Sequence, residues 1–152
     1  MNRLKPKHIA WFLPAAYLLH LIEEYFGGEG FYSWFSSLLN VDLSSLDFIV
    51  INSFGFTITL IIVILYNLNK VSNFLIAALG SLFFINGIIH LLASIFTASY
   101  SPGIITGIII YLPLGVLVFK KIFPLLPEDQ RILSFIAGVA VQIIVALIAF
   151  II

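Results

Sequence analysis

Apolar runs about as long as a bilayer core is thick recur five times in this chain, near residues 9–26, 48–68, 74–96, 103–123 and 132–152. A helix needs roughly 20 such residues to cross about 30 Å of hydrocarbon. Inside a bilayer only helices and closed barrels satisfy their own backbone polar groups. Runs this long lack the alternation of barrel strands, so the spacing predicts an all-α, polytopic membrane bundle of five spans. Composition agrees: 62% of the 152 residues are hydrophobic and 9% charged, against roughly 25% charged in soluble domains. Residues 1–152 are expected to form a single integral membrane domain. The breaks fall where turns are needed: Gly27-Gly28, the polar stretch 67–73, Ser101-Pro102-Gly103, and Pro124 with Pro127. The first run ends in two glutamates and has no small-residue cleavage site, so it reads as a retained span rather than a signal peptide.

The formal net charge is zero, which gives no basis for binding nucleic acid. With no cysteine, disulfides, thiolate metal sites and cysteine nucleophiles are excluded together. The placement of charge is more informative. Arg3, Lys5 and Lys7 precede span one, Lys70 lies between spans two and three, and Lys120, Lys121 and Arg131 lie between spans four and five. With five spans, every Lys and Arg falls on one side. By the positive-inside rule the N-terminus is then cytoplasmic and the C-terminus extracytoplasmic, in a multi-pass protein of the plasma membrane.

Against this background His20, Glu23 and Glu24 stand out, because ionisable groups inside a span are costly and mark function. Helical rise puts His20 roughly 16 Å and Glu24 roughly 22 Å above the inner start of span one. Asn86 and His90 in span three come out at roughly 18 and 24 Å, and Asn52 in span two at roughly 6 Å below the outer boundary. With Tyr100 in the outer turn, these residues all occupy the outer half of the membrane. His20 and Glu24 are one turn apart, and so are Asn86 and His90, the spacing with which bundle interiors present metal ligands. Imidazole with carboxylate suits Zn first, with Mn or Fe as alternatives.

His20-Leu21-Ile22-Glu23-Glu24, the later His90, and Tyr100-Ser101-Pro102-Gly103 together resemble the HXXEE family of small integral membrane proteins, defined by an H-x-x-E-E motif, a further histidine and a Y-x-P-G motif. The resemblance covers nearly the whole chain. It implies an enzymatic site without attaching a reaction to it.

The residues themselves suggest a metal-dependent membrane enzyme, hydrolase-like, acting by general-base chemistry on a lipid or other amphiphile. His20, His90 and one glutamate, Glu24 by its facing, would be the metal ligands. The other glutamate would act as base on water that the metal polarises, and the sequence leaves open which of Glu23 and Glu24 takes which role. Asn86 would orient a ligand histidine or the substrate. Tyr100 and the start of span four would stabilise developing negative charge. Asn52, Ser101 and Gly103 would border the substrate, with Ser101 as helix N-cap and Pro102 at the first helical position. Gly103 and Gly107 form a small-xxx-small pair suited to close helix packing. Competing readings are a proton- or cation-coupled transporter, a bis-histidine haem protein using His20 and His90, or a structural cluster that only fixes packing. In the outer loop, Phe31, Trp34, Phe35 and Leu38 recur at i, i+3, i+4 and i+7, which predicts a short amphipathic helix in the outer interface, placed to act as a lid or lipid entry rim. Spans four and five are apolar enough to meet lipid or another protomer.

Overall fold

A computed structural model describes residues 4–151; Arg3 and the last residue of the fifth apolar run, Ile152, lie outside the described residues. The chain is all-helical, with no strand among the described residues. Its α-helices are α1 (Pro6–Phe26), α2 (Phe31–Leu39), α3 (Ser45–Asn67), α4 (Asn73–Thr97), α5 (Ile104–Thr106), α6 (Leu112–Lys121) and α7 (Glu128–Ile151). A π-helical turn, Gly107–Tyr111, joins α5 to α6, and a 3-10 turn, Phe123–Leu125, follows α6.

Four helical segments are long and apolar enough to cross a membrane: Ser45–Asn67, Asn73–Thr97, Ile104–Leu125 and Glu128–Ile151. At 21 residues α1 is long enough, roughly 32 Å, but it does not join them. His20, Glu23 and Glu24 lower its apolarity, so the residues that make it interesting also keep it outside the criterion. A short helix does form after the first apolar run, as α2, over the stretch that carries Phe31, Trp34, Phe35 and Leu38.

Three helices start for local reasons. Pro6 opens α1, where its missing N–H costs nothing. Ser44 and Asp47 make a reciprocal capping box at the start of α3, with the Asp47 N–H donating to Ser44 Oγ at 3.1 Å. Glu128 and Asp129 sit in the first turn of α7, where the helix dipole favours them.

At the centre α4 is held by small residues that let backbones approach, the usual solution where lipid offers no hydrophobic drive between helices. A Cβ on Gly138 of α7 would lie 2.6 Å from the Ala78 carbonyl, and one on Gly80 of α4 would meet the Val118 side chain at 2.5 Å. Gly107 packs closely on Gly87 of α4, the helix packing its small-xxx-small spacing suggests, whereas Gly103 lies against the His20 and His90 rings. The pairs Gly80–Val118 and Gly115–Phe84 run α6 antiparallel to α4, whereas Gly138 against Ala78 and Gln142 against Asn86 run α7 parallel to it. Lys7 donates to the Asn67 carbonyl at 2.9 Å, tying the start of α1 to the end of α3. These registers gather Lys7, Lys70, Lys120, Lys121 and Arg131 at one end of the bundle. The motif residues lie toward the other.

Candidate functional site

His20 and Glu24 face inward from the last turns of α1, and His90 faces them from α4; all three are buried, at 1%, 6% and 2% exposure. Both imidazoles aim Nε2 at one carboxylate oxygen: Glu24 Oε1 is 3.5 Å from His20 Nε2 and 3.2 Å from His90 Nε2. One ligand atom from each residue can be chosen so that all three lie within 4.8 Å of one another, a spacing a metal ion could bridge. His20 Nε2 is buried and has no hydrogen-bond partner.

The opposite ring nitrogens are fixed by hydroxyls. His20 Nδ1 lies 2.7 Å from Thr106 Oγ1, and His90 Nδ1 lies 3.1 Å from Ser101 Oγ. Thr106 Oγ1 also donates to Glu23 Oε2. A hydroxyl has one proton, so Thr106 gives it to the carboxylate and accepts from His20 Nδ1–H. That assigns the His20 tautomer: the proton sits on Nδ1 and the Nε2 lone pair is directed at Glu24. A lone pair and a carboxylate oxygen facing each other at 3.5 Å need a cation or a proton between them. Tyr111 stacks on the other face of the His20 ring, with centroids 4.2 Å apart. Phe31 of α2 abuts His90 edge-on at 5.7 Å.

Glu23 points elsewhere. Its Oε1 accepts from the Tyr100 hydroxyl at 2.7 Å and the Ile105 N–H at 2.9 Å, and its Oε2 from the Thr106 N–H at 2.6 Å and from Thr106 Oγ1. Four donors use the roughly four lone-pair positions that a carboxylate has. Glu23 thus caps the start of the Ile104–Leu125 segment from another helix and satisfies N–H groups that have no intrahelical partner. The cap expected from Ser101 is absent. The helix begins at Ile104 after Gly103 as N-cap, while Ser101 is fully buried and turned to His90. The positive end of the span does meet an anion, and the anion is the protein's own. Tyr100 belongs to this clamp: partial burial, then its bond to the Glu23 carboxylate, push the phenol up to about 12.

Gly103 is held in the left-handed region at φ 101°, over the cluster. A Cβ there would come within 2.8 Å of Cε1 in both His20 and His90, and 3.1 Å of Glu24 Cγ. Glycine is required both by the conformation and by the space.

The expected site residues therefore fall into three groups. His20, Glu24, His90, Ser101 and Gly103 make one centre; Glu23 and Tyr100 make the clamp beside it. Asn52 and Asn86 line a cavity that reaches the centre, but neither bonds a histidine. Asn52 accepts from the Tyr17 hydroxyl at 3.2 Å, and Asn86 donates to Gln142 at 3.4 Å. The orienting role foreseen for Asn86 is filled by Thr106 and Ser101. Thr106, Tyr111 and Gln142 are the residues that sequence reasoning overlooked. Gln142 had a signal, being an amide side chain inside an apolar span.

A family model described as "protein of unknown function with HXXEE motif" matches residues 11–118. The chain belongs to this family. The match takes in the whole centre, the clamp and Tyr111, and ends before α7, which supplies Gln142 to the cavity. No curated protein and no solved structure matches the chain.

Proposed function

We propose that this HXXEE protein is a metal-dependent, membrane-embedded enzyme that hydrolyses a lipid or other amphiphile at the His20/Glu24/His90 centre. One observation carries the reading: two imidazole nitrogens converge on one carboxylate oxygen in a buried pocket, and one of them, His20 Nε2, has no hydrogen-bond partner. Buried polar atoms are almost always paired, so such an orphan calls for an occupant. Two imidazoles and a carboxylate form a donor set that suits Zn, or Mn or Fe. A divalent cation there would polarise a substrate carbonyl and acidify water.

The chain's own residues divide the remaining work. Thr106 and Ser101 hold the imidazoles by Nδ1, the outer contacts that orient metal-ligating histidines. Glu24 presents Oε1 to both histidines, while its Oε2 takes part in neither contact and is placed to receive a proton from water. This gives the base role to Glu24 rather than to Glu23, whose oxygens are occupied. Gly103 covers one side of the centre, and the cavity that reaches His20, Glu24 and His90 leaves the other side for water and substrate. A haem reading fits poorly, because ring centroids of His20 and His90 are 5.0 Å apart with Gly103 against both, too close for a macrocycle between them.

In the same reading α1 is a fifth span, with Leu18, Leu19 and Ile22 exposed toward lipid. The basic end faces the cytoplasm of a plasma-membrane protein, and α2 lies in the outer interface as a rim for substrate entry.

The test is metal content of detergent-purified protein never exposed to chelator, wild type against His20→Ala. Near-stoichiometric Zn, Mn or Fe that the variant loses is the expected result. No metal in the wild type, or equal metal in the variant, overturns the reading.

A further inference from the structure

The cavity that reaches the centre holds about 260 Å³ and runs between α2, α3, α4 and α7. Phe31, Trp34, Phe35, Val145 and Ala149 give it largely apolar walls. Its size falls just under the roughly 300–1,000 Å³ of pockets for drug-sized ligands, room for one chain rather than two. Among the described residues its lining contains no Lys or Arg, and Glu24 is the one carboxylate. With no cation at the centre, an anionic head would be buried in this low-dielectric space beside the Glu24 carboxylate with no Lys or Arg to pair with it.

Uncharged hydrogen-bonding groups interrupt the apolar wall. Asn86 Oδ1 is buried and unpartnered. Tyr111 is 2% exposed, its ring clamped between His20 at 4.2 Å and Phe83 at 4.4 Å, and it ends the π-helical turn. Such turns are frequent at functional sites. Tyr111 lines the cavity, and its hydroxyl makes no hydrogen bond among the described residues, so it is free to donate to a ligand. The phenol that the sequence points to, Tyr100, is spent on Glu23. Tyr111 is the phenol left free beside the centre.

We propose that this cavity takes a single-chain amphiphile with an uncharged ester, amide or alcohol head, and that the Tyr111 hydroxyl donates a hydrogen bond to an oxygen of that head. This deepens the reading of the centre as acting on an amphiphile but does not depend on a bound metal.

Trp34 lines the cavity and is one of two tryptophans; the other, Trp11, is 44% exposed. A Trp11→Phe protein therefore reports on the cavity through Trp34 alone. The probes are a monoacylglycerol with a dibrominated C18 chain and the matching free fatty acid at pH 8, titrated in detergent. Expected are saturable quenching by the monoacylglycerol and binding of the acid at least about tenfold weaker. Tyr111→Phe, which keeps the ring stack, should weaken the monoacylglycerol about five- to tenfold, the scale of one lost hydrogen bond. Ala149→Phe, which fills the cavity, should abolish saturation. Quenching that never saturates, an acid that binds as well as the uncharged probe, or a Tyr111→Phe protein that binds normally would overturn the proposal. Metal content is read on the same preparations. Saturable binding by metal-free protein would uphold this proposal while sinking the metal reading, so the two fail separately.

Discussion

Thr106→Val is the substitution that most directly tests how the centre is built. Valine keeps the shape of threonine and its β-branching but removes the hydroxyl between His20 Nδ1 at 2.7 Å and Glu23 Oε2. Glu23 keeps three donors: Tyr100, Ile105 N–H and Thr106 N–H. The clamp should therefore weaken without failing. His20 loses more, because its Nδ1–H is left buried and unpaired and nothing then favours the tautomer that exposes the Nε2 lone pair. Hydrogen bonds between membrane helices measure about 0.6 kcal/mol on average and reach about 2. Two lost bonds then come to about 1–3 kcal/mol of stability. Removing a group that orients a ligating histidine typically costs 10–100-fold in metal affinity, or about 1.4–2.8 kcal/mol. The assay is competition for Zn against a calibrated chelator in detergent, with thermal melts on the same samples. Thr106→Ser should restore most of both. Zn affinity within about threefold of wild type in Thr106→Val would refute the assignment of His20 Nδ1–H to Thr106, and with it the lone pair at Nε2.

Three further substitutions separate the parts. Gly103→Ala combines a left-handed φ of 101° with a Cβ 2.8 Å from both imidazoles. It should cost about 1–3 kcal/mol and abolish metal binding while far-UV circular dichroism stays helical; unchanged metal content would count against Gly103 as the cover of the centre. Glu24→Gln should remove metal, and its melting temperature should equal or exceed that of wild type stripped of metal, because it deletes a buried charge. Glu23→Gln should lower the melting temperature, since its amide would set a donor against the donors at the start of Ile104–Leu125, and the reverse ranking of the two variants in metal-free protein would refute the division of labour. Tyr100→Phe removes one of four donors to Glu23, so it should cost less than about 1.5 kcal/mol and leave metal stoichiometry intact, as read by elemental analysis.

The helices were legible because the bilayer imposes a length and a polarity that can be read without knowing the tertiary contacts. Segments 48–68, 74–96, 103–123 and 132–152 differ from the observed helices by only a few residues at their ends. His20, Glu24 and His90 were legible for a related reason: charge and imidazole in an apolar span are costly enough to be noticed one residue at a time. Thr106 was not, because a threonine in a membrane helix can bond its own backbone at little cost and looks neutral until its neighbours are known. Tyr111 was hidden by the π-helical turn, which shifts the register of the Ile104–Leu125 segment just where a regular helix would be assumed. Ser101-Pro102-Gly103 was misread as a self-capped helix start because the local pattern is a good one. The cap comes instead from Glu23, more than seventy residues earlier in the chain, and no local pattern reports that.

The paired glutamates of the motif follow from helix geometry. Successive residues turn by about 100° on an α-helix, so adjacent carboxylates cannot serve the same neighbour. Glu24 falls one turn beyond His20 and shares its face toward His90; Glu23 is rotated toward the loop that carries Tyr100 and Gly103. With that carboxylate α1 fixes the start of the Ile104–Leu125 segment, and the fixed start presses Gly103 onto the histidines and brings Thr106 to His20 Nδ1. One helix turn thus supplies both a centre and the anchor for the segment that covers it. A single glutamate at position 24 would leave the N–H groups of Ile105 and Thr106 without their acceptor inside the protein, and Gly103 with nothing to hold it over the site. The motif is then the shortest sequence with which a single helix can present a carboxylate and an imidazole to one neighbour while capping another.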